Sequence, residues 1–172
     1  MPARLPTLLI ALVMSSAALA GEVKVTWQDP DRYTDIREGH ESRDSFRESL
    51  FEEMASVFAG MARQLPENCL FEVTVTDVDL AGEVNGIYGL RWQDVRVVRS
   101  IYWPRISFSY ALKDASQGLL LQGKEEITDM AFLFHAQRFA RTRFVYEERM
   151  LIDWFRRQQT AGIFPVRDKA AD

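Results

Sequence analysis

The sequence predicts an α+β fold of two layers, in which a mainly antiparallel sheet of about four strands carries two long helices packed on one face. Three observations predict it. Residues 70–112 hold two β-type runs, LFEVTVTDVDL and VRVVRSIYWPRISFSYAL, joined by the glycine-bearing stretch AGEVNGIYGLRWQD. Two other segments, near residues 42–65 and 144–158, repeat apolar residues at spacings of three and four, the period of an amphipathic helix. The first strand is separated from the second by the first of these helices, which calls for one crossover connection among otherwise sequential strands.

Taken in order, Glu22–Trp27 alternates, with Val23, Val25 and Trp27 on one side, and reads as the first strand. Asp29-Pro30-Asp31 breaks it. Tyr33–Arg37 is a polar connection with Ile36 as its one aliphatic residue, and its Asp35 and Arg37 are expected to tie it down. From Ser42 to Leu65 the residues Phe46, Leu50, Met54, Val57, Phe58, Met61 and Leu65 line one helix face. Glu41, Asp44 and Glu48 lie at its start, where the dipole favours acids, and Pro66 ends it. Next comes a strand whose alternation slips: Phe71, Val73 and Val75 share a side, whereas Val78 and Leu80 fall on the other. A bulge, a turnover or an end is therefore expected near Thr76.

Ala81–Asp94 reads as a long loop, either a flap folded over the sheet or a contact for a partner, with Ile87, Tyr88, Leu90 and Trp92 among its glycines. The glycine spacings match neither the dinucleotide nor the Walker pattern. Pro104 has no N–H to give a central ladder, so it marks an edge, a bulge or a strand start. Beyond it Ile106, Phe108, Tyr110 and Leu112 share one face. Asp114–Gly118 is a turn, and Leu119–Thr128 a strand with Leu119, Leu121 and Ile127 on one side; Gly123 on that side signals a bulge or a close approach. Thr128-Asp129 caps a short helix over Met130–Phe139. In Phe144–Gln158 the stripe is Tyr146, Met150, Leu151, Trp154 and Phe155, and Arg149, Asp153 and Arg157 form an ion-pair ladder opposite.

Residues 1–20 have the pattern of an export signal: Arg4 ahead of an apolar core at Leu8–Met14, then Ala18-Leu19-Ala20 as a small-residue motif. Cleavage is expected between Ala20 and Gly21, leaving a periplasmic or secreted chain that does not span a membrane. Residues 21–160 then form a single domain and 161–172 a disordered tail. Cys69 is the one cysteine, so no internal disulfide exists, and its place at a strand start suits a small packed residue. The net charge of −4 disfavours nucleic acid as a partner. Residues 21–90 carry 15 acids and 6 bases, whereas 91–172 carry 10 acids and 14 bases, and 17 of the 21 basic residues are arginine. Arginine makes bidentate pairs with carboxylates, so pairing between the acidic first part and the basic second is expected.

Few constellations point to chemistry. Asp77, Asp79 and Glu83 are candidate ligands for a hard cation, because carboxylates two apart on a strand point the same way. They lack the calcium-loop spacing, and the competing expectation is that they cap turns or pair with Arg91, Arg96 or Arg99. His40 and His135 stand alone, neither in a zinc motif, and no G-x-S-x-G elbow occurs. Tyr102-Trp103-Pro104-Arg105 is the most distinctive surface candidate, since a ring exposed beside Arg105 suits a peptide or glycan, although packing of the rings into the core at the strand kink is the favoured expectation.

Tyr33–Arg37 (YTDIR), Val73–Val84 (VTVTDVDLAGEV), Tyr102–Ile106 (YWPRI), Thr128–Met130 (TDM) and Tyr146–Phe155 (YEERMLIDWF) occur in that order. With them the chain resembles the bacterial periplasmic family catalogued as domain of unknown function 3016, over roughly Val23 to Arg157. The resemblance implies an exported protein of Gram-negative bacteria with no assigned activity and no catalytic residues to carry over. The functional expectation is a non-catalytic periplasmic binding or adaptor module without a cofactor. It would contact an envelope protein or cell-wall polymer through Tyr88, Trp92, Tyr102, Trp103 and Arg105. The alternative is a hydrolase or metal-dependent enzyme using Asp77, Asp79 and Glu83.

Overall fold

The computed structural model describes residues 21–39, 41–85, 94–114, 116, 118–135 and 142–167. In chain order the elements are β1 (Glu22–Trp27), a single 3-10 turn (Pro30–Arg32), α1 (Arg43–Ala62), β2 (Cys69–Asp79), β3 (Glu83–Asn85), β4 (Val95–Val97), β5 (Arg105–Asp114), β6 (Gly118–Thr128), α2 (Phe132–His135) and α3 (Val145–Thr160). The main sheet has the order β1-β2-β5-β6, with β1 parallel to β2 and the other two pairs antiparallel. The predicted class holds. One four-stranded, mainly antiparallel sheet carries both long helices on one face, α1 over β1 and β2, and α3 beside α1 and over β6.

The helices form where the apolar spacing predicts. Ser42 caps α1, its Oγ accepting the Ser45 N–H at 3.3 Å, so one of the first-turn donors has a partner. Phe46, Leu50, Met54, Phe58 and Met61 are buried along one face, with Val57 packed at its edge. Trp27 of β1 stacks on Phe51 at 4.4 Å and 14°, fastening the first strand to this helix. On α3 the buried positions are Glu147, Met150, Leu151, Trp154 and Phe155. The ion pairs on its outer side join Asp153 to Arg149 at 2.8 Å and to Arg156 at 3.8 Å, so Arg156 takes the place expected of Arg157.

Between the layers lies an aromatic core of Phe58, Phe71, Phe108, Tyr110, Trp154, Phe155 and Phe164. Burying each such ring contributes on the order of 1.5–3 kcal/mol, which makes this cluster the main glue between helices and sheet. The Tyr110 ring reaches across to β6, where a Cβ on Gly123 would lie 2.7 Å from its Oη. The close approach expected at Gly123 is therefore made by an aromatic neighbour covering a glycine on the next strand.

Four differences from the expectations have local causes. The Ala81–Asp94 stretch is not loop throughout, because β3 within it pairs with β4 as a second, two-stranded sheet. Gly82 turns the chain into it at φ 86°, where a Cβ would come within 2.5 Å of the Val97 carbonyl oxygen. Leu119 does not share a face with Leu121, since a register shift sets Leu121 opposite Leu112 but Leu119 opposite Lys113. The short helix spans Phe132–His135 rather than running to Phe139, and residues 136–141 lie outside the described residues. Within the stretch expected to be a tail, Phe164 is buried in the core and the Arg167 N–H donates to the Gln64 carbonyl at 2.9 Å. Residues 161–167 thus pack on the body, and 168–172 lie outside the described residues.

Candidate functional site

The C-terminal end of β2 gathers polar and charged side chains from different parts of the chain. Its geometry starts from the slip in alternation. A β-bulge between Val75 and Asp77 resets the register, so Val78 and Leu80 return to the core side and Asp77 and Asp79 point away from it. Beside this bulge the Tyr33–Arg37 segment continues the sheet where β1 stops: the Asp35 N–H donates to the Val78 carbonyl and the Leu80 N–H to the Asp35 carbonyl, each at 3.0 Å. The buried Tyr33 hydroxyl donates to the Val75 carbonyl at 2.9 Å, and burial pushes its pKa well up. Docking of this segment, expected from its composition, is what the structure shows.

The two β2 aspartates are both engaged. Asp77 accepts the Thr34 N–H and hydroxyl, each at 2.7 Å, an arrangement in which a carboxylate ties a turn down. Asp79 pairs with Arg105 at 3.3 Å, and Arg105 also faces Glu126 at 3.9 Å. Burial raises the Asp79 pKa, with Arg105 pulling the other way. Glu83 lies on β3. Among the described residues no three His, Cys, Asp or Glu converge as metal ligands. His40 lies outside the described residues. Cys69 is buried at the far end of β2, and burial raises its thiol pKa, which disfavours the nucleophilic thiolate.

Behind the aspartates Arg96 of β4 forms a brace. Its guanidinium meets Asp35 bidentately at 3.0 and 3.2 Å, and donates to the carbonyls of Arg37 at 2.9 Å and Gly82 at 3.3 Å. One side chain thus joins the docked segment, the turn after β2 and the small sheet. Next to it Glu147, in the first turn of α3, is only 2% exposed and accepts the Ala81 N–H at 2.7 Å. Burial drives its carboxyl above the ordinary value, against the opposing pull of the Ala81 N–H, its own N–H and the Arg96 charge. A cavity of about 330 Å³ opens here, with Phe46, Leu80, Val95, Val98, Phe144 and Tyr146 as its less polar wall and Arg96, Arg143, Glu41 and Glu147 as its charged groups.

At the same end the connections leading into β5 and out of β6 display apolar side chains. Arg105 and Thr128 are cross-strand partners, and the Pro104 carbonyl accepts the Thr128 hydroxyl at 2.9 Å, so the two connections leave the sheet side by side. On the first, Ile101 is 62% and Trp103 40% exposed; on the second, Met130 is 66% and Phe134 91% exposed. Tyr102 is half-buried, and its carbonyl accepts the Gly82 N–H at 2.9 Å.

Of the surface expected to meet a partner, then, Trp103 is open, Arg105 is partly spent on Asp79, and Tyr88 and Trp92 lie outside the described residues. Met130, Phe134 and Glu147 join the candidates on structural grounds. The exposure of the first two depends on how α2 is set down, which no local pattern records. For Glu147 a signal does exist: it stands three and four residues before Met150 and Leu151, on the stripe that faces the core.

No curated protein and no solved structure matches the chain. No helix among the described residues is long and apolar enough to cross a membrane. A family model matches residues 21–157, most of the chain, and the protein belongs to the family described as "Protein of unknown function (DUF3016)".

Proposed function

We propose that the chain is exported, is cut between Ala20 and Gly21, and acts in the periplasm as a non-catalytic module that docks a partner protein at the Pro104 end of its sheet. The observation that carries this reading is the exposure of Ile101, Trp103, Met130 and Phe134 on two connections held together through Pro104. Large apolar side chains grouped at one end of a molecule mark contact surfaces more often than isolated ones do. Their make-up favours a protein surface over a cell-wall polymer. Arg105, the cation that would flank a stacked sugar, is partly taken up by Asp79 at 3.3 Å and faces Glu126 at 3.9 Å. The enzyme alternative draws no comparable support, because Asp77 and Asp79 are taken up in holding Thr34 and Arg105.

Photo-crosslinking tests it. A benzophenone side chain placed at Trp103 or Phe134 is expected to trap the same partner in intact cells, and a probe at Lys24, on the opposite sheet face and far edge, should not. Identical products from all three positions, or none from the first two, would count against the docking surface. Sequencing the purified chain from its N-terminus should begin at Gly21; a retained Met1 would remove the export reading.

A further inference from the structure

Glu147 places a buried carboxyl beside a cavity. Arg96 is neutralised by Asp35, and Arg143 by Glu41. No cation lies within ion-pair distance of Glu147 among the described residues, although its carboxyl is almost completely enclosed. Unpaired buried carboxyls are costly when ionised, so such a group signals either a protonated acid or a missing counter-ion. Here the cavity of about 330 Å³ gives a counter-ion room to enter, and its Leu80, Val95 and Val98 wall suits an aliphatic stem. The aromatic side of the same cavity already holds one cation: the Arg143 guanidinium sits 5.3 Å from the Phe46 ring centre and 5.7 Å from that of Phe144.

We propose that this cavity binds an alkylammonium group, with Glu147 as its counter-ion. A small anion is the poorer fit. Arg96 Nε is buried without an acceptor, but an anion there would set a second negative charge beside Glu147, and both guanidinium groups already have carboxylates. Burial raises the Glu147 carboxyl above its ordinary value, which favours its protonated form. When R–NH3⁺ enters, that proton passes to solvent and the carboxylate pairs with the ammonium, so one cation is taken up for one proton released. Among the described residues, the other charged groups around the cavity are Arg96 on β4, Asp35 on the docked segment, and Glu41 and Arg143 ahead of α1 and α3; all four are already joined in pairs, Arg96 with Asp35 and Arg143 with Glu41. This site does not depend on the docking surface above.

Calorimetric titration of the mature chain with n-butylammonium, in two buffers of different ionisation enthalpy, reads both affinity and proton release. Below the Glu147 midpoint we expect release approaching one proton and an affinity that rises about tenfold per pH unit, levelling off above it. Glu147→Gln keeps a carbonyl for the Ala81 N–H, so the variant should fold, but should bind at least about tenfold more weakly and release no proton. Nα-acetyl-lysine N-methylamide separates the sources. Binding as tight as butylammonium means the group arrives as a lysine side chain, and exclusion means a free amine. Absence of butylammonium binding, proton release near zero at every pH, equal binding by butan-1-ol, tighter binding of acetate, or unchanged affinity in Glu147→Gln would each overturn the proposal. Proton release by the parent chain decides the matter even if the variant misfolds.

Discussion

Glu147 gives the chain a pH response opposite to that of an ordinary surface-paired carboxylate. Its folded pKa is raised above the ordinary 4.5, chiefly by burial, so on titration the unfolded chain loses this proton first. The stability it contributes is complete below that ordinary value and is lost as pH rises through the folded pKa. Asp79, raised by burial, acts in the same direction. Glu147→Gln removes this titration, so its melting temperature relative to the parent is expected to climb as pH is raised; a difference that stays flat or falls would mean that the carboxyl is not held protonated. Gly123 makes a steric prediction. A methyl there would meet Tyr110 Oη at 2.7 Å and Cζ at 2.8 Å, and the ring cannot swing away because Phe164 and Trp154 lie 5.2 and 5.7 Å from it. Gly123→Ala should cost about 1–3 kcal/mol in urea denaturation. The glycine's role is readable from its place on the apolar side of a strand; which neighbour covers it is not, since that depends on a pairing with Tyr110 on the preceding strand.

The long elements are legible because each repeats its pattern over several turns or pleats. In α1 the apolar spacing, the acids at its start and the following proline agree with one another, and such agreement is what makes a local reading reliable. Ser42→Ala should lower stability by about 1 kcal/mol in thermal or chemical unfolding, with the α1 amides near Ser45 exchanging faster; no change would mean that this helix start is held by other contacts. The bulge in β2 is legible as a conflict, because Phe71, Val73 and Val75 obey one alternation and Val78 and Leu80 the other. Its outcome, the placing of Asp77 against Thr34 and of Asp79 against Arg105, cannot be read locally, because those partners lie 43 and 26 residues away. β3 and β4 are hidden for a simpler reason. Strands of three residues carry too little alternation to be told from loop, and this ladder depends on Gly82 and on the Arg96 brace.

Across the whole molecule, the uneven distribution of charge along the sequence reappears as ion pairs between its two parts. Asp35, Glu41, Glu67, Glu72 and Asp79 from the first half meet Arg96, Arg143, Arg167, Lys113 and Arg105 from the second. Most of these pairs are partly exposed, where each contributes at most about 1 kcal/mol, so they select the docking of the halves more than they power it. The aromatic core contributes more of the stability. Trp154→Ala should therefore cost about 3–5 kcal/mol, while Lys113→Ala should stay within about 1 kcal/mol; denaturation of the two variants side by side checks the ratio, and comparable losses would reverse this assignment. The helices cover one side of the sheet, and the polar side with Glu72, Thr74, Ser109, Gln122 and Lys124 has no layer over it among the described residues.

Among the described residues, that open polar side and the apolar Pro104 end are two surfaces on which a partner could settle, and oxidative footprinting distinguishes them most directly. Hydroxyl radicals would be applied to the purified chain and to the chain in its native extract, and modification at Trp103, Met130 and Phe134 read by mass spectrometry. Strong labelling of all three in isolation and protection of all three in the extract is the predicted result. Unchanged labelling there, with protection appearing instead on the strands of the polar side, would contradict the docking account.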